Sequence, residues 1–228
     1  MKPNLSKAKS ALALIAVLPL ALIMAGCNPA PQDSVAVQPG ATQIVPETTF
    51  TSGLGKWYEH VWYNAKSSGG EVTTGANGVS FKAVASNSRS GIMLDLNKDV
   101  STFTSLRLTV KGTVTQQTLP GTGYNGREAP VAVAIAYKDA KGADHKLLGE
   151  DPKADGQMFW RGFYFLGTNN SSSVTTNGVL VEKGKEFTFN FDLMTLKDKP
   201  TYLYFIGLEG AGWKDRQGTV SSLSLVAN

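Results

Sequence analysis

Apolar residues recur at every second position over much of the chain after residue 50. The pattern is clearest at residues 81–84, 106–110 and 187–192, where hydrophobic and polar side chains alternate. A period of two is that of a β-strand with one buried face, whereas a helix repeats every 3.6 residues. The alternation therefore predicts half-buried strands and leaves little of the chain for helices.

One segment, residues 131–137, is apolar at every position and alternates large with small side chains. We expect a strand with both faces covered, or with one face forming a shallow floor. Turn residues separate the segments, and helical signals are confined to one short turn at residues 193–199. The chain is thus predicted to be all-β, an antiparallel β-sandwich or barrel. Further strands are predicted at residues 57–63, 91–96, 158–166, 179–182, 202–208 and 219–226, with a hairpin turn at 139–142 and long loops at 119–130 and 168–178.

Composition limits the function classes. The chain has 22 Lys and Arg against 18 Asp and Glu, and three of the lysines lie in residues 1–26, which contain no acid. Residues 27–228 are therefore close to neutral and contain no run of five basic residues, which excludes an electrostatic footprint for nucleic acid. The single cysteine, Cys27, allows no disulfide within the chain, so the fold must be stabilised by burial.

The N-terminal 27 residues have the pattern of an export signal. Lys2, Lys7 and Lys9 precede an apolar run at residues 11–25, and small residues lead to Cys27. A membrane-spanning helix and a simple secretory signal are the alternatives, but the run is shorter than the roughly 20 residues a span needs. The ending Met24-Ala25-Gly26-Cys27 resembles a bacterial lipobox. The resemblance implies cleavage before Cys27 and lipidation of that residue.

Residues 28–49 contain four prolines and no aromatic residue until Phe50. Such a segment buries too little apolar surface to offset its chain entropy, so we predict a disordered tether. By the lipoprotein resemblance, Asn28 after the lipidated cysteine implies sorting to the outer membrane of a two-membrane cell envelope. The predicted organisation is a signal peptide at 1–26, lipidated Cys27 with a tether at 27–49, and a β-sandwich domain at 50–228.

The order of features after residue 50 resembles a jelly roll of the galactose-binding-like kind, the fold of many carbohydrate-binding modules. The resemblance rests on Trp57 and Trp62, the pair Gly69-Gly70, a central strand at 106–112, and the closing sequence from Tyr202 to Leu225. It implies a glycan or polysaccharide ligand. It also implies a structural calcium as a candidate, with Asp151 and Asp155 as the loop carboxylates that would bind it.

Aromatic rings beside polar groups are the chemistry that sugar recognition needs. If Phe159 and Phe163 point into the core, Trp160 and Tyr164 share the outer face and form a platform, unless that face is covered too. Outward polar residues on the strands at 106–110 and 187–192 form a second candidate groove, for which the alternative is an ordinary solvated face. The predicted ligand-binding residues are Trp160, Tyr164, Arg161, Tyr124, Asn190, Asp192, Arg107 and Trp213.

Signals for catalysis are weak. His60 and His145 are the only histidines and form no metal-binding pair, and no nucleophile motif is present. The leading hypothesis is a membrane-anchored envelope lipoprotein whose non-catalytic sandwich binds polysaccharide. The alternative is a protein-interaction or assembly lipoprotein with an envelope protein as its partner. A polysaccharide hydrolase or lyase is a third possibility, for which Glu128, Glu150, Asp151 and Asp155 are the loop carboxylates.

Overall fold

The computed structural model describes residues 40–60, 69–83, 88–120, 129–146, 156–167, 178–212 and 215–228. They belong to one compact unit, Gln38–Asn228. Within these ranges there is no helix whose length and apolar character would let it cross a membrane. Cys27, the predicted lipidation site, lies outside the described residues.

The described residues form thirteen strands and a single turn of 3₁₀ helix at Leu193–Thr195. The strands are β1 (Thr42–Thr48), β2 (Tyr58–Glu59), β3 (Gly70–Gly75), β4 (Gly78–Ala83), β5 (Ser88–Asp99), β6 (Leu106–Gln116), β7 (Ala129–Asp139), β8 (Asp144–His145), β9 (Phe159–Tyr164), β10 (Gly178–Leu180), β11 (Glu186–Asp192), β12 (Pro200–Gly212) and β13 (Gln217–Ala227).

Two sheets make up the fold in the described part of the chain. Sheet I has the order β11-β6-β13-β4-β3, with β1 also on β13, and sheet II has the order β10-β9-β7-β12-β5-β2, with β8 also on β7. Every pair is antiparallel except β10 with β9. The predicted all-β antiparallel sandwich is therefore confirmed.

The main hydrophobic core combines side chains from both sheets. Phe81, Leu108 and Val220 come from sheet I, while Ile135 and Ile206 come from sheet II, and all are fully buried. A second, smaller cluster contains Ala129, Ala132, Ala134, Met158 and Trp160. Since successive side chains of a strand point to opposite faces, β7 contributes Val131, Val133 and Ile135 to the main core and Ala132 and Ala134 to the second cluster, while Ala129 joins that cluster beyond a register shift between β7 and β12. Both faces of β7 are thus buried, as its sequence predicts.

The N-terminal boundary of the sandwich differs from the prediction. The tether was expected to extend to residue 49, but Thr42–Thr48 forms β1 and pairs with β13. Val45 is only 1% exposed and belongs to the main core. Pro46 lies where the register shifts between Val45 and Thr48, which is where a strand tolerates proline. Four of the seven residues of this segment are β-branched, which favours a strand, and pairing with β13 outweighs the proline.

Two local predictions are confirmed. The hairpin turn at 139–142 closes with the Gly142 amide donating to the Asp139 carbonyl at 3.1 Å. The short helical turn predicted at 193–199 is the 3₁₀ turn, whose N-cap is Asp192. Most of the two long predicted loops lies outside the described residues.

Candidate functional site

The aromatic residues of β9 divide between the two faces of sheet II as their alternation predicts. Phe159 and Phe163 belong to the main core, and Trp160 belongs to the second cluster on the other face. However, Trp160 is 6% exposed and Tyr164 is 3% exposed, so the two rings do not form an exposed platform. The structure agrees with the alternative given in the sequence analysis, in which the face of β9 that carries Trp160 and Tyr164 is covered.

Both rings pack against glycines. A Cβ on Gly162 would collide with Cη2 of Trp160 and lie 2.8 Å from Cβ of Ala129. A Cβ on Gly178 of β10 would likewise collide with the Tyr164 ring, and burial raises the pKa of that tyrosine. The two rings therefore occupy the space that a side chain would need at these glycines. We call Ala129, Ala132, Ala134 and Met158 the alanine floor, with Trp160 lying among them.

Arg161 does not accompany Trp160 on this face. Its guanidinium lies over the rings of Phe159 at 5.1 Å and Phe191 at 5.4 Å, on the side of the main core. Burial there lowers the pKa of Arg161. Arg161 therefore does not share the face that carries Trp160, because successive residues of a strand point to opposite faces, and its predicted contact with ligand stays a prediction.

Asp192, on the outer face of sheet I, has a structural role. Its carboxylate accepts hydrogen bonds from the Leu106 amide at 2.9 Å, the Met194 amide at 3.0 Å and the Ser105 hydroxyl at 2.8 Å. Burial opposes ionisation, but these three hydrogen bonds outweigh it and lower the pKa of Asp192. Arg107 lies opposite Asp192 in the β6–β11 pair, and Asn190 accepts a hydrogen bond from the Thr109 hydroxyl at 2.8 Å. The predicted groove on sheet I is thus a face whose polar groups bond to one another.

Several predicted residues lie outside the described part of the chain. They are Cys27, Trp62, Tyr124, Glu128, Glu150, Asp151, Asp155 and Trp213. Among the residues that are described, no group of three or more His, Cys, Asp or Glu is placed to hold a metal ion.

A second aromatic group on the outer face of sheet II was not predicted from the sequence. Tyr58 of β2 is 39% exposed and donates its hydroxyl proton to Asp95 of β5 at 3.0 Å. Partial burial and this hydrogen bond raise the pKa of Tyr58. This hydrogen bond holds the phenol ring across strands β2 and β5, so that the ring does not point straight into solvent.

Tyr204 of β12 is anchored in the same way. Its hydroxyl donates to Asp144 of β8, and Nζ of Lys146 lies 3.7 Å from the centroid of its ring while pairing with Asp144 at 3.1 Å. The Tyr204 hydroxyl and then Lys146 lower the pKa of Asp144. Tyr202 packs edge-on against Tyr204, with ring centroids 5.1 Å apart.

These residues form one strip across the strands. Phe205 lies opposite Asp95 on β5 and opposite Ala136 on β7, and it also packs against the cluster that contains Trp160. The strip therefore runs from β2 through β5, β12 and β7 to β8, and it borders the alanine floor. We call Tyr58, Asp95, Asp144, Lys146, Tyr202, Tyr204 and Phe205 the tyrosine strip.

The sequence alone predicts only part of the tyrosine strip. Tyr202 and Tyr204 are two positions apart in a predicted strand, a spacing that places both rings on one face. The carboxylates that orient the rings are 37 and 60 positions away from their tyrosines. Such pairs become visible only when the strand order is known.

His145 has a structural environment. Its ring stacks on Tyr137 at 4.4 Å, its Nε2 lies 3.1 Å from Oδ2 of Asp139, and its Nδ1 lies 3.0 Å from the carbonyl oxygen of Gln157. Both ring nitrogens therefore lie within hydrogen-bond distance of an oxygen atom. The hydrogen bond from His145 and two backbone amides lower the pKa of Asp139. This contact ties the β7–β8 hairpin to the chain just before β9.

No protein-family model matches the sequence, and no curated protein matches it either. Among solved structures, the chain is similar to a xylan-binding module CBM15, with 11% identity over 82% of this chain and 95% of that chain and a TM-score of 0.41. It is similar to the family 11 carbohydrate-binding module from Clostridium thermocellum, with 12% identity, 81% and 94% coverage and a TM-score of 0.42. It is also similar to the CBM22-1 xylan-binding domain from Paenibacillus barcinonensis Xyn10C, with 8% identity, 82% and 95% coverage and a TM-score of 0.40. Similarities of this strength assign no ligand to the chain.

Proposed function

We propose that this protein is a membrane-anchored envelope lipoprotein whose non-catalytic sandwich binds a glycan across the outer face of sheet II. The observation that carries the proposal is the tyrosine strip, in which Tyr58 and Tyr204 are each held by a hydrogen bond to a carboxylate. Rings fixed in this way contact a sugar without a large loss of side-chain freedom on binding, Tyr58 through its exposed ring and Tyr204 together with Lys146, whose Nζ lies over one face of that ring.

The polar groups of the strip complete the recognition chemistry. Asp95 and Asp144 offer carboxylate oxygens that accept hydrogen bonds from sugar hydroxyls, and Lys146 adds a donor beside Tyr204. Adjacent strands are about 4.8 Å apart, so a strip that spans five strands is roughly 19 Å long. An extended oligosaccharide fits this shape better than a single sugar does.

Four of the described carboxylates are unsuited to act as the acid of a glycosidase. A glycosidase needs a carboxylic acid whose pKa is raised, so that it can protonate the leaving oxygen. The pKa values of Asp99, Asp139, Asp144 and Asp192 are all lowered by hydrogen bonds or neighbouring cations. Those four groups are ionised at neutral pH and cannot act as that acid.

Binding is tested by isothermal titration calorimetry and affinity electrophoresis against neutral, acetylated and acidic polysaccharides. Tyr58→Ala and Tyr204→Ala are each expected to lower affinity roughly tenfold or more, because each removes a stacking surface. Thr188→Ala on the exposed outer face of sheet I is the matched control and should leave affinity unchanged. Absence of binding to every polysaccharide, or equal losses in all three variants, contradicts the proposal.

The membrane anchor is tested separately at Cys27. We expect mass spectrometry of the N-terminal peptide to find a lipidated Cys27, and Cys27→Ala to release the protein from the membrane fraction. Each buried methylene contributes about 0.8 kcal/mol, so more than one acyl chain gives a stable anchor. An unmodified thiol on membrane-associated protein refutes this part of the proposal.

One observation favours the alternative of a protein-binding lipoprotein. Leu166 and Leu180 are 39% and 48% exposed at the β9–β10 margin of sheet II, where an apolar contact with a partner protein is feasible. Cross-linking in intact cells should then recover one stoichiometric protein partner, and Leu180→Asp should abolish its recovery. Recovery of glycan alone supports the leading proposal.

A further inference from the structure

Asn97, near the end of β5, has a backbone conformation that side chains rarely adopt. Its φ is 44°, and in the described part of the chain only Phe50 is another non-glycine residue with a positive φ. Asparagine tolerates this left-handed region better than most residues, whereas glycine occupies it without steric cost. Such a conformation persists where the surrounding structure imposes it, which for Asn97 is the pairing of β5 with β12.

Asn97 lies where the register of sheet II is irregular. The pairing of β12 with β5 and its pairing with β7 both shift between Leu203 and Phe205, so Leu96 and Asn97 together lie opposite Tyr204. Leu203 belongs to the main core, and regular alternation would turn Phe205 inward as well. Phe205 instead packs against the cluster on the outer face. The bulge thus places two consecutive residues of β12, Tyr204 and Phe205, on one face, and bulges beside binding sites re-aim side chains in this way.

The side chain of Asn97 is exposed on the same face. Leu96 packs against the main core, so the neighbouring Asn97 points outward, between Asp95 and Asp99. Asp95 accepts the hydroxyl proton of Tyr58 at 3.0 Å, and Asp99 accepts two hydrogen bonds from the turn that follows β5. The amide of Asn97 makes no hydrogen bond to any residue that the structure describes. It is therefore open to solvent and to a ligand.

This amide has a hydrogen-bonding capacity that the charged groups around it lack. A carboxylate such as Asp95 only accepts hydrogen bonds, and a lysine such as Lys98 or Lys146 only donates them. A primary amide donates and accepts side by side in one plane. Two adjacent hydroxyls on a sugar ring offer the complementary acceptor and donor.

We infer that Asn97 is a ligand-binding residue of the outer face of sheet II, whose amide binds two adjacent hydroxyls of the glycan beside Tyr204. The inference rests on the proposed glycan-binding function and narrows the ligand to a saccharide with a free pair of adjacent hydroxyls at this position. A residue that served only the backbone at φ 44° would need no amide, because glycine fits that conformation better. Replacement by glycine therefore separates a binding role from a structural one.

The test measures binding of xylan, a mixed-linked glucan and polygalacturonate, and of their hexamers, by calorimetry. Asn97→Gly keeps the backbone conformation and removes the amide, so affinity should fall about fivefold, the value of one hydrogen bond. Asn97→Asp keeps a residue that tolerates positive φ but loses the donor, so it should also bind more weakly than wild type. Thr188→Gly, on the exposed outer face of sheet I, is the control for a glycine within a strand and should leave affinity unchanged. Wild-type affinity in Asn97→Gly overturns the inference and leaves glycan binding intact.

Deoxy sugars show whether the loss comes from a hydroxyl contact or from a looser strand. One analogue of the bound hexamer that lacks a single hydroxyl should bind wild-type protein about fivefold more weakly than the parent hexamer does. Asn97→Gly should bind that analogue and the parent equally, because the contact is already absent. In protein labelled with ¹⁵N, the side-chain amide resonances of Asn97, assigned by their absence from Asn97→Asp, should shift with the parent hexamer and shift less with the analogue.

Two outcomes contradict the inference in different ways. If every analogue loses the same factor in wild type and in Asn97→Gly, Asn97 acts only through the backbone and the inference is wrong, while glycan binding stands. Failure of every oligosaccharide and polysaccharide to bind overturns the proposed function and the inference with it.

Discussion

The outer faces of the two sheets differ in how they satisfy their polar groups. On sheet I, neighbouring strands bond to each other through side chains, as in Ser80 with Thr219 at 2.7 Å and Thr109 with Asn190 at 2.8 Å. On sheet II, the corresponding surface has small residues, oriented tyrosines and an indole N–H without a partner among the described residues. The polar side chains of sheet I named here are satisfied within the sheet, whereas the Trp160 indole N–H on sheet II has no partner among the described residues.

The difference has a physical origin in the residues that face outward. Hydroxyl and amide side chains directly opposite each other on adjacent strands are close enough to form hydrogen bonds, which makes a flat and self-satisfied surface. Glycine and alanine at the same positions leave room for large rings to pack against the sheet. The residue types that face outward therefore give the two outer faces different surfaces.

The largest stability effect is expected at Gly162 of β9, where the outer face of sheet II is tightly packed. Gly162→Ala places a Cβ against both the Trp160 ring and Ala129, and overpacking of this kind costs about 1–3 kcal/mol. Gly75→Ala on β3 of sheet I is the matched control, because a Cβ there meets nothing within 4 Å. Urea unfolding monitored by circular dichroism measures both variants, and equal stabilities contradict the packing described for Trp160.

The next effect is expected at Asp192, the structural carboxylate of sheet I. Asp192→Asn should lower the free energy of unfolding by about 1–2 kcal/mol at pH 7, because an amide cannot replace a carboxylate that accepts two backbone amides and a hydroxyl. Since the folded-state pKa is lowered, the stabilisation is fully present above the ordinary Asp value of about 3.9 and is lost as pH falls through the folded value. Denaturation at pH 7 and pH 2.5 should show the wild type and variant converging in acid. A constant difference would show that the carboxylate charge is not responsible.

A smaller effect is expected for the hydroxyl pair Ser80 and Thr219. Thr219→Val alone should destabilise by about 0.5–1 kcal/mol, and the double variant with Ser80→Ala should be less destabilised than the two single effects added together. A double-mutant cycle in urea measures this coupling. Strict additivity would show that the outer face of sheet I is merely solvated and not internally bonded.

The smallest stability effect is expected for Lys146, beside the tyrosine strip. The side chains of Lys146 and Asp144 are both nearly half exposed, and ion pairs this exposed contribute little to stability because water screens them. Lys146→Met should therefore change the melting temperature by a degree or two at most, while Tyr204 stays anchored through Asp144. A large loss of stability would mean that the ion pair, rather than the hydroxyl–carboxylate bond, holds the strip in place.

Parts of the candidate site could be predicted from the sequence. The alternation in 158–166 correctly separated Phe159 and Phe163 from Trp160 and Tyr164, because the period of a strand assigns faces directly. The solvent exposure of the Trp160 and Tyr164 rings could not be predicted from the sequence, because it depends on which residues pack over the sheet. Arg161 shows the same limit: its aromatic neighbour Phe191 is 30 positions away, on a different sheet.

The amino-acid sequence by itself determined the all-β class, most strand positions and the burial of both faces of β7, because these follow from local periodicity. The lipobox-like N-terminus is likewise a property of local sequence, and it predicts an anchor at Cys27 that awaits its test. Only the tertiary structure decided that Thr42–Thr48 joins sheet I, that Asp192 is a cap, and that Tyr58 and Tyr204 meet their carboxylates in one strip. These contacts join residues far apart in the chain, so they depend on strand order and register, which local patterns do not encode.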